Sequence, residues 1–129
     1  MNKEWKDAIK QGNLERVRLL LRNGADINSK DEHGQTALMN AAHAGQVELV
    51  RLLIENGADL DITAKYNLSA LMLAIIARHT EIAQLLIETG ADVNIRSTGN
   101  FYGKTALFLA EHDGHSEIAA LLRQKGASS

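Results

Sequence analysis

Five histidines are the side chains here with the widest chemical reach, since imidazole can ligate a metal or pass a proton near neutral pH. His112 and His115 stand three apart with Glu111 and Asp113 around them, a spacing that could chelate on one continuous helix. Gly114 falls between them and is expected to break that helix. There is no cysteine and no clustered carboxylate to complete a coordination set, so neither a metal nor a cofactor is expected. His79 and His115 align with Gln46 and Asn13, at positions where a polar side chain can serve the exposed amides of a helix start. Glu15, Glu48, Glu81 and Glu117 also share one aligned position, where an acid complements the helix dipole and reads as structural. No Gly-x-Ser-x-Gly, phosphate-binding glycine loop or His-Glu-x-x-His occurs. The chemistry-bearing residues therefore argue against an enzyme. A metal protein or enzyme built on His112 and His115 is the competing class, and bound metal in the purified protein would favour it.

What positions these residues is a repeat. Gly-Ala-Asp occurs at Gly24, Gly57 and Gly90, with Gly-Ala-Ser at Gly126, so the steps are 33, 33 and 36 residues. Thr36-Ala-Leu-Met recurs as Ser69-Ala-Leu-Met and Thr105-Ala-Leu-Phe, again 33 and 36 apart. A fixed period of this length is the signature of stacked repeats. Within one period, Leu38, Ala41 and Ala42 sit at helical spacing and Gly45 ends that helix. A second helix follows, apolar at Leu49, Val50, Leu52, Leu53 and Ile54, with Glu48, Arg51 and Glu55 marking an outer stripe. Gly57 closes it, and Asp59, Asp61, Asp31 and Gly34 supply turn chemistry for an extended loop. Two short helices cannot bury their faces alone, so neighbouring units must stack.

Bulk properties agree. The 129 residues are one domain's worth of chain, 45% hydrophobic and 23% charged, with a formal net charge of −2. No whole-protein field draws the chain to nucleic acid or an anionic membrane, and the basic residues look dispersed, with no stripe on one face. The N-terminus has no apolar signal region, and no apolar run approaches the ~18 residues of a membrane span. The lack of cysteine fits a reducing, cytoplasmic setting. Proline is absent, which argues against a flexible Pro-rich linker.

The repeated pattern resembles the ankyrin repeat, whose units open on Asp-x-x-Gly-x-Thr-Pro-Leu-His and close on Gly-Ala-Asp. The resemblance covers essentially the whole chain in four registered copies. It implies an all-α solenoid of stacked helix-turn-helix repeats with hairpin-like loops, in one domain over 1–129. The repeats are placed at about 2–30, 31–63, 64–96 and 97–126. Ala37, Ala70 and Ala106 replace the family's proline, and Met39, Met72 and Phe108 replace its histidine. Apolar packing is expected where that histidine would hydrogen-bond.

Individual units depart informatively. In the first, Trp5, Ala8 and Ile9 are expected to face inward, as are Leu14, Val17, Leu19, Leu20 and Leu21. Arg16 aligns with Leu49, Ile82 and Ile118, and Arg123 with Leu21, Ile54 and Ile87. Charge at these positions suits the solvent-facing ends of a stack, as does Glu111, aligned with Ala42 and Ile75. The four repeats are therefore expected to be the entire protein, with a frayed GASS tail. In the third unit Arg78 stands for the turn glycine and Asn67 for the loop glycine, so either the turn is reshaped or Arg78 is strained. The loop before the fourth unit is longer: Asn94 to Thr105 spans 11 positions where Asn28 to Thr36 spans 8.

The family resemblance implies non-catalytic protein–protein recognition through loop tips and the exposed side of each first helix. The matching tips are Glu32, His33 and Gln35; Lys65, Tyr66 and Leu68; Phe101, Tyr102 and Lys104. The matching first-helix positions are Lys10, His43, Ile76 and His112, with Gln11, Ala44, Ala77 and Asp113 beside them. Stacking places such positions in rows about 10 Å apart. Three of the five aromatic residues, Tyr66, Phe101 and Tyr102, fall at these tips. They form either a partner-binding patch or a lid over the apolar third repeat, and the longer loop favours binding. The expectation is a monomer that binds a protein partner through its concave face, centred on repeats three and four. Narrower alternatives are a dedicated inhibitor or chaperone of one enzyme, or a self-associating structural protein.

Overall fold

The computed structural model describes residues 1–99 and 102–128. Among them are eight α-helices: α1 (Lys3–Gln11), α2 (Leu14–Arg22), α3 (Ala37–Ala44), α4 (Val47–Glu55), α5 (Ala70–Ile76), α6 (Thr80–Glu88), α7 (Ala106–His112) and α8 (Ser116–Gln124). They form four helix-turn-helix pairs. Helices α1, α3, α5 and α7 stack as an inner layer, and α2, α4, α6 and α8 as an outer one. None is long and apolar enough to cross a membrane.

Helix α1 starts on the Asn2 side chain, and the other three first helices on one hydroxyl each. Thr36 Oγ1, Ser69 Oγ and Thr105 Oγ1 accept the amides of Met39, Met72 and Phe108, all at 3.3 Å. In place of the family's histidine, Met39 and Met72 are fully buried, and Phe108 is half-buried against the core. The stops are left-handed residues, Gly12, Gly45 and Gly114 at φ 65, 78 and 74. Arg78 adopts the same conformation at φ 63. Its amide bonds Ile75 O at 3.0 Å and that of His79 bonds Ala74 O at 2.9 Å, matching the Gly45 turn. The turn is therefore not reshaped, and Arg78 bears the strain.

The core runs unbroken through the stack, and in α5 every residue from Ala70 to Ile75 is buried. An interior helix pair covered on both sides requires this, at roughly 1.5–3 kcal/mol per large apolar side chain. The first pair differs from the expectation. Of α2 only Val17 is buried, and Leu19 is 44% exposed. The aligned Leu52 lies on α4, which α2 covers, while no described helix covers Leu19. Both end faces carry an ion pair, Arg16 with Glu4 at 2.9 Å and Arg123 with Glu111.

Loops are stitched from one repeat to the next. Asn28 Oδ1 accepts the Asp59 amide at 2.9 Å, Asp61 Oδ1 that of Asp92 at 2.8 Å, and Asn94 Oδ1 that of Ser128 at 3.0 Å. The last rung, with Thr105 Oγ1 donating to Ser128 O at 2.8 Å, holds a tail expected to fray.

Candidate functional site

Second-helix starts do not behave as their sequence suggests. Asn13 caps α2 through the Arg16 amide at 3.1 Å, but Gln46, His79 and His115 make no such cap. Instead Gln46 and His79 bear on the turn glycines of the preceding repeats, Gly12 and Gly45. His79 slides over Gly45, where a Cβ would crowd the ring, and Nε2 donates to His43 O across 3.1 Å. At the next junction Arg78 carries a Cβ in the equivalent place. There His115 is only 9% exposed, and its Nε2 has no partner among the described residues. His112 points elsewhere, stacked on Phe108 with centroids 5.7 Å apart and planes 10° apart. Among the described residues no three His, Asp or Glu side chains are grouped to hold a metal ion.

The finger of the second repeat is organised by Asp31. Its carboxylate accepts the His33 amide at 2.8 Å, the Gln35 amide at 3.0 Å and Asn40 Nδ2 at 3.2 Å. Partial desolvation pushes the Asp31 carboxyl up, but the Gln35, Asn40 and His33 donors together outweigh it and hold it below its ordinary 3.8. Beside it, the Lys6 ammonium holds the Glu32 carboxyl below 4.5, and Glu32 in turn raises Lys6 above 10.5. His33 and His43 are exposed at this end, with Gln35 half-buried between the finger and α3.

The fingers of the third and fourth repeats are built differently. Tyr66 and Asn67 are both left-handed, at φ 64 and 57, a pairing for tight hairpin turns that usually draws Asn and Gly. The longer loop zips onto them: Thr98 N donates to Tyr66 O at 2.7 Å, and Asn67 Nδ2 to Arg96 O at 2.8 Å. Gly99, at φ 60, lies directly against the Tyr66 ring, where a Cβ would clash. Tyr66 is thus half-buried against the insert. The loop closes on itself through Ser97 N to Lys104 O at 2.9 Å, Lys104 N to Ser97 Oγ at 2.8 Å, and Arg96 Nη1 to Gly103 O at 3.1 Å.

The expected contact residues are placed unequally. Tyr102, at φ 51, is 80% exposed. Lys65 is exposed, with Nζ 5.0 Å from the Tyr66 ring centre, and Lys104 lies 4.1 Å over the Phe108 ring. Ile76 is half-buried at the end of α5, and His112 exposed at the end of α7. Leu68 is 8% exposed and joins the core, so it offers no contact surface. Phe101 lies outside the described residues.

Two features were missed in the sequence. Phe108, assigned only to packing, forms a Lys104–Phe108–His112 stack. The basic residues are also less dispersed than they look, because the zipped loops join Lys65, Arg96 and Lys104 into one structure. The signal was available as a lack of acids: residues 62–69 and 93–110 contain none.

Stacked helix pairs with projecting fingers define a solenoid scaffold, a class that recognises other molecules through an extended surface. The chain belongs to the ankyrin-repeat family. The family's pattern of ankyrin repeats in three copies matches residues 6–97, and a further single ankyrin repeat matches 102–129. Ankyrin repeats are generally non-catalytic protein–protein interaction modules. No curated protein matches the chain significantly.

Proposed function

We propose that this chain binds a partner protein, without catalysis, through the concave face formed by its inner helices and fingers. The contact is centred on repeats three and four, in a reducing, cytoplasmic setting consistent with the lack of cysteine. The observation that carries the reading is Tyr102, a large aromatic side chain 80% exposed on a backbone held left-handed at φ 51. A non-glycine residue there costs about 1–3 kcal/mol, and such strain clusters at functional sites. Tyr66, Asn67, Arg78 and Tyr102 all lie in repeats three and four, and they are the non-glycine residues with positive φ among those described. A finger already pinned by hydrogen bonds loses little entropy on binding.

Capture from a cell lysate tests this, comparing the intact chain with Tyr102→Ala after circular dichroism shows equal folding. A partner retained by the intact chain and lost, or weakened about tenfold, with the variant supports the reading. Equal capture by both would move the site away from these fingers, toward His33 and His43.

A further inference from the structure

We propose that the segment gripped by the third and fourth fingers is acidic: a short peptide stretch with several Asp or Glu residues flanking an apolar one. This rests on the protein-binding reading above and adds the chemistry of what is bound. Lys65, Arg96 and Lys104 are drawn together by the Asn67–Arg96 and Ser97–Lys104 hydrogen bonds. Among the described residues none of the three makes an ion pair with a carboxylate. Lys65 and Lys104 rest over aromatic rings instead, and Arg96 donates to a backbone carbonyl.

The other charged groups leave these cations uncompensated. Residues 62–69 and 93–110 hold no acid. Asp61 and Asp92 border these stretches, but their carboxylates accept the amides of Asp92 and Asn94 within the loop ladder. On α7 and its cap the acids are Glu111, engaged by Arg123, and Asp113. Both stand at the end of α7 away from the fingers, about 10 Å along a helix of this length. Although the whole chain is net −2, this end of the face is cationic and carries an exposed ring at Tyr102.

Charge complementarity alone would also suit a polyphosphate. The second finger argues against one, since residues 31–35 hold Asp31 and Glu32 but no Lys or Arg, and a long anion would find no added cation on that finger. Three cations in one patch suit a segment of a few residues better than a duplex or strand.

The test is selection of a random twelve-residue displayed peptide library on the intact full chain. Recovered peptides are then measured against Tyr102→Ala and against a Lys65→Glu, Arg96→Glu, Lys104→Glu variant. A twelve-nucleotide oligouridine serves as a parallel probe. The expected result is enrichment of peptides with net charge of about −2 or below and an apolar residue. Their binding should fall at least tenfold with charge reversal and weaken as salt rises. Neutral or basic peptides lost only with Tyr102→Ala would overturn the acidic assignment and leave the protein-binding site standing. Peptides indifferent to both variants, or no enrichment, would count against both. Oligouridine binding abolished by charge reversal, without acidic peptides, would replace the proposal with single-stranded nucleic acid.

Discussion

Arg78 holds the left-handed turn between α5 and α6 where the other turns use glycine, at φ 63. Its side chain recovers part of the cost by donating to Asp113 O at 2.9 Å. The Cβ also occupies space that at the preceding junction admits His79, and His115 Nε2 is left without a partner among the described residues. Arg78→Gly should therefore stabilise the protein by about 1 kcal/mol, strain relief exceeding the entropy a glycine adds to the unfolded chain. A thermal scan should show Tm rising by about 4 °C; an unchanged or lower Tm would mean that the Arg78–Asp113 bond outweighs the strain. Asp31 sets a second test. Its carboxyl is held below 3.8 in the folded state, so the stability it contributes is complete above the unfolded value near 3.8. That contribution is lost as pH falls further, through the folded value. Asp31→Ala should cost about 1–2 kcal/mol at pH 7. The difference in urea midpoint between parent and variant should then narrow below pH ~3.8. A difference constant down to pH 2 would show that the carboxylate's charge is irrelevant to this finger.

At the scale of elements, the helices and their period were legible because three of the four units repeat a hydroxyl cap, three a turn glycine, and all an apolar face. The second-helix starts were not. Gln46, His79 and His115 look like helix caps in one dimension, yet none caps its helix, and Gln46 and His79 pack on the turn of the unit before, a contact set by stacking. The Tyr66–Gly99 packing was hidden likewise, since it joins two loops more than thirty residues apart. What could have been read is the ladder: Asn28, Asp61 and Asn94 recur at intervals of 33, each accepting an amide from the next loop. Asp61→Ala removes the middle rung and should destabilise by about 1 kcal/mol, with amide exchange at Asp92 accelerating locally. Unchanged exchange at Asp92 would mean the loop is held by helix packing alone.

Across the whole molecule, the stack ends in charge at both faces. Arg16 and Arg123 occupy positions that are apolar in the interior repeats, and Glu4 and Glu111 pair with them. Exposed pairs of this kind contribute little stability, typically under about 1 kcal/mol. Their consequence is for association, because an apolar end face would match the next repeat of another copy and build a head-to-tail filament. Restoring the interior pattern with Arg16→Leu and Glu4→Ala at one face, and Arg123→Ile and Glu111→Ala at the other, should convert the ends into mutually adhesive surfaces. Light scattering across a concentration series should then show average mass climbing with concentration, and more steeply than for the unaltered chain. Changing only one face should give far less growth, since heterologous contacts need both. If the fourfold variant scatters like the parent at every concentration, the charges do not govern end-to-end association, and shape mismatch between α1–α2 and α7–α8 does.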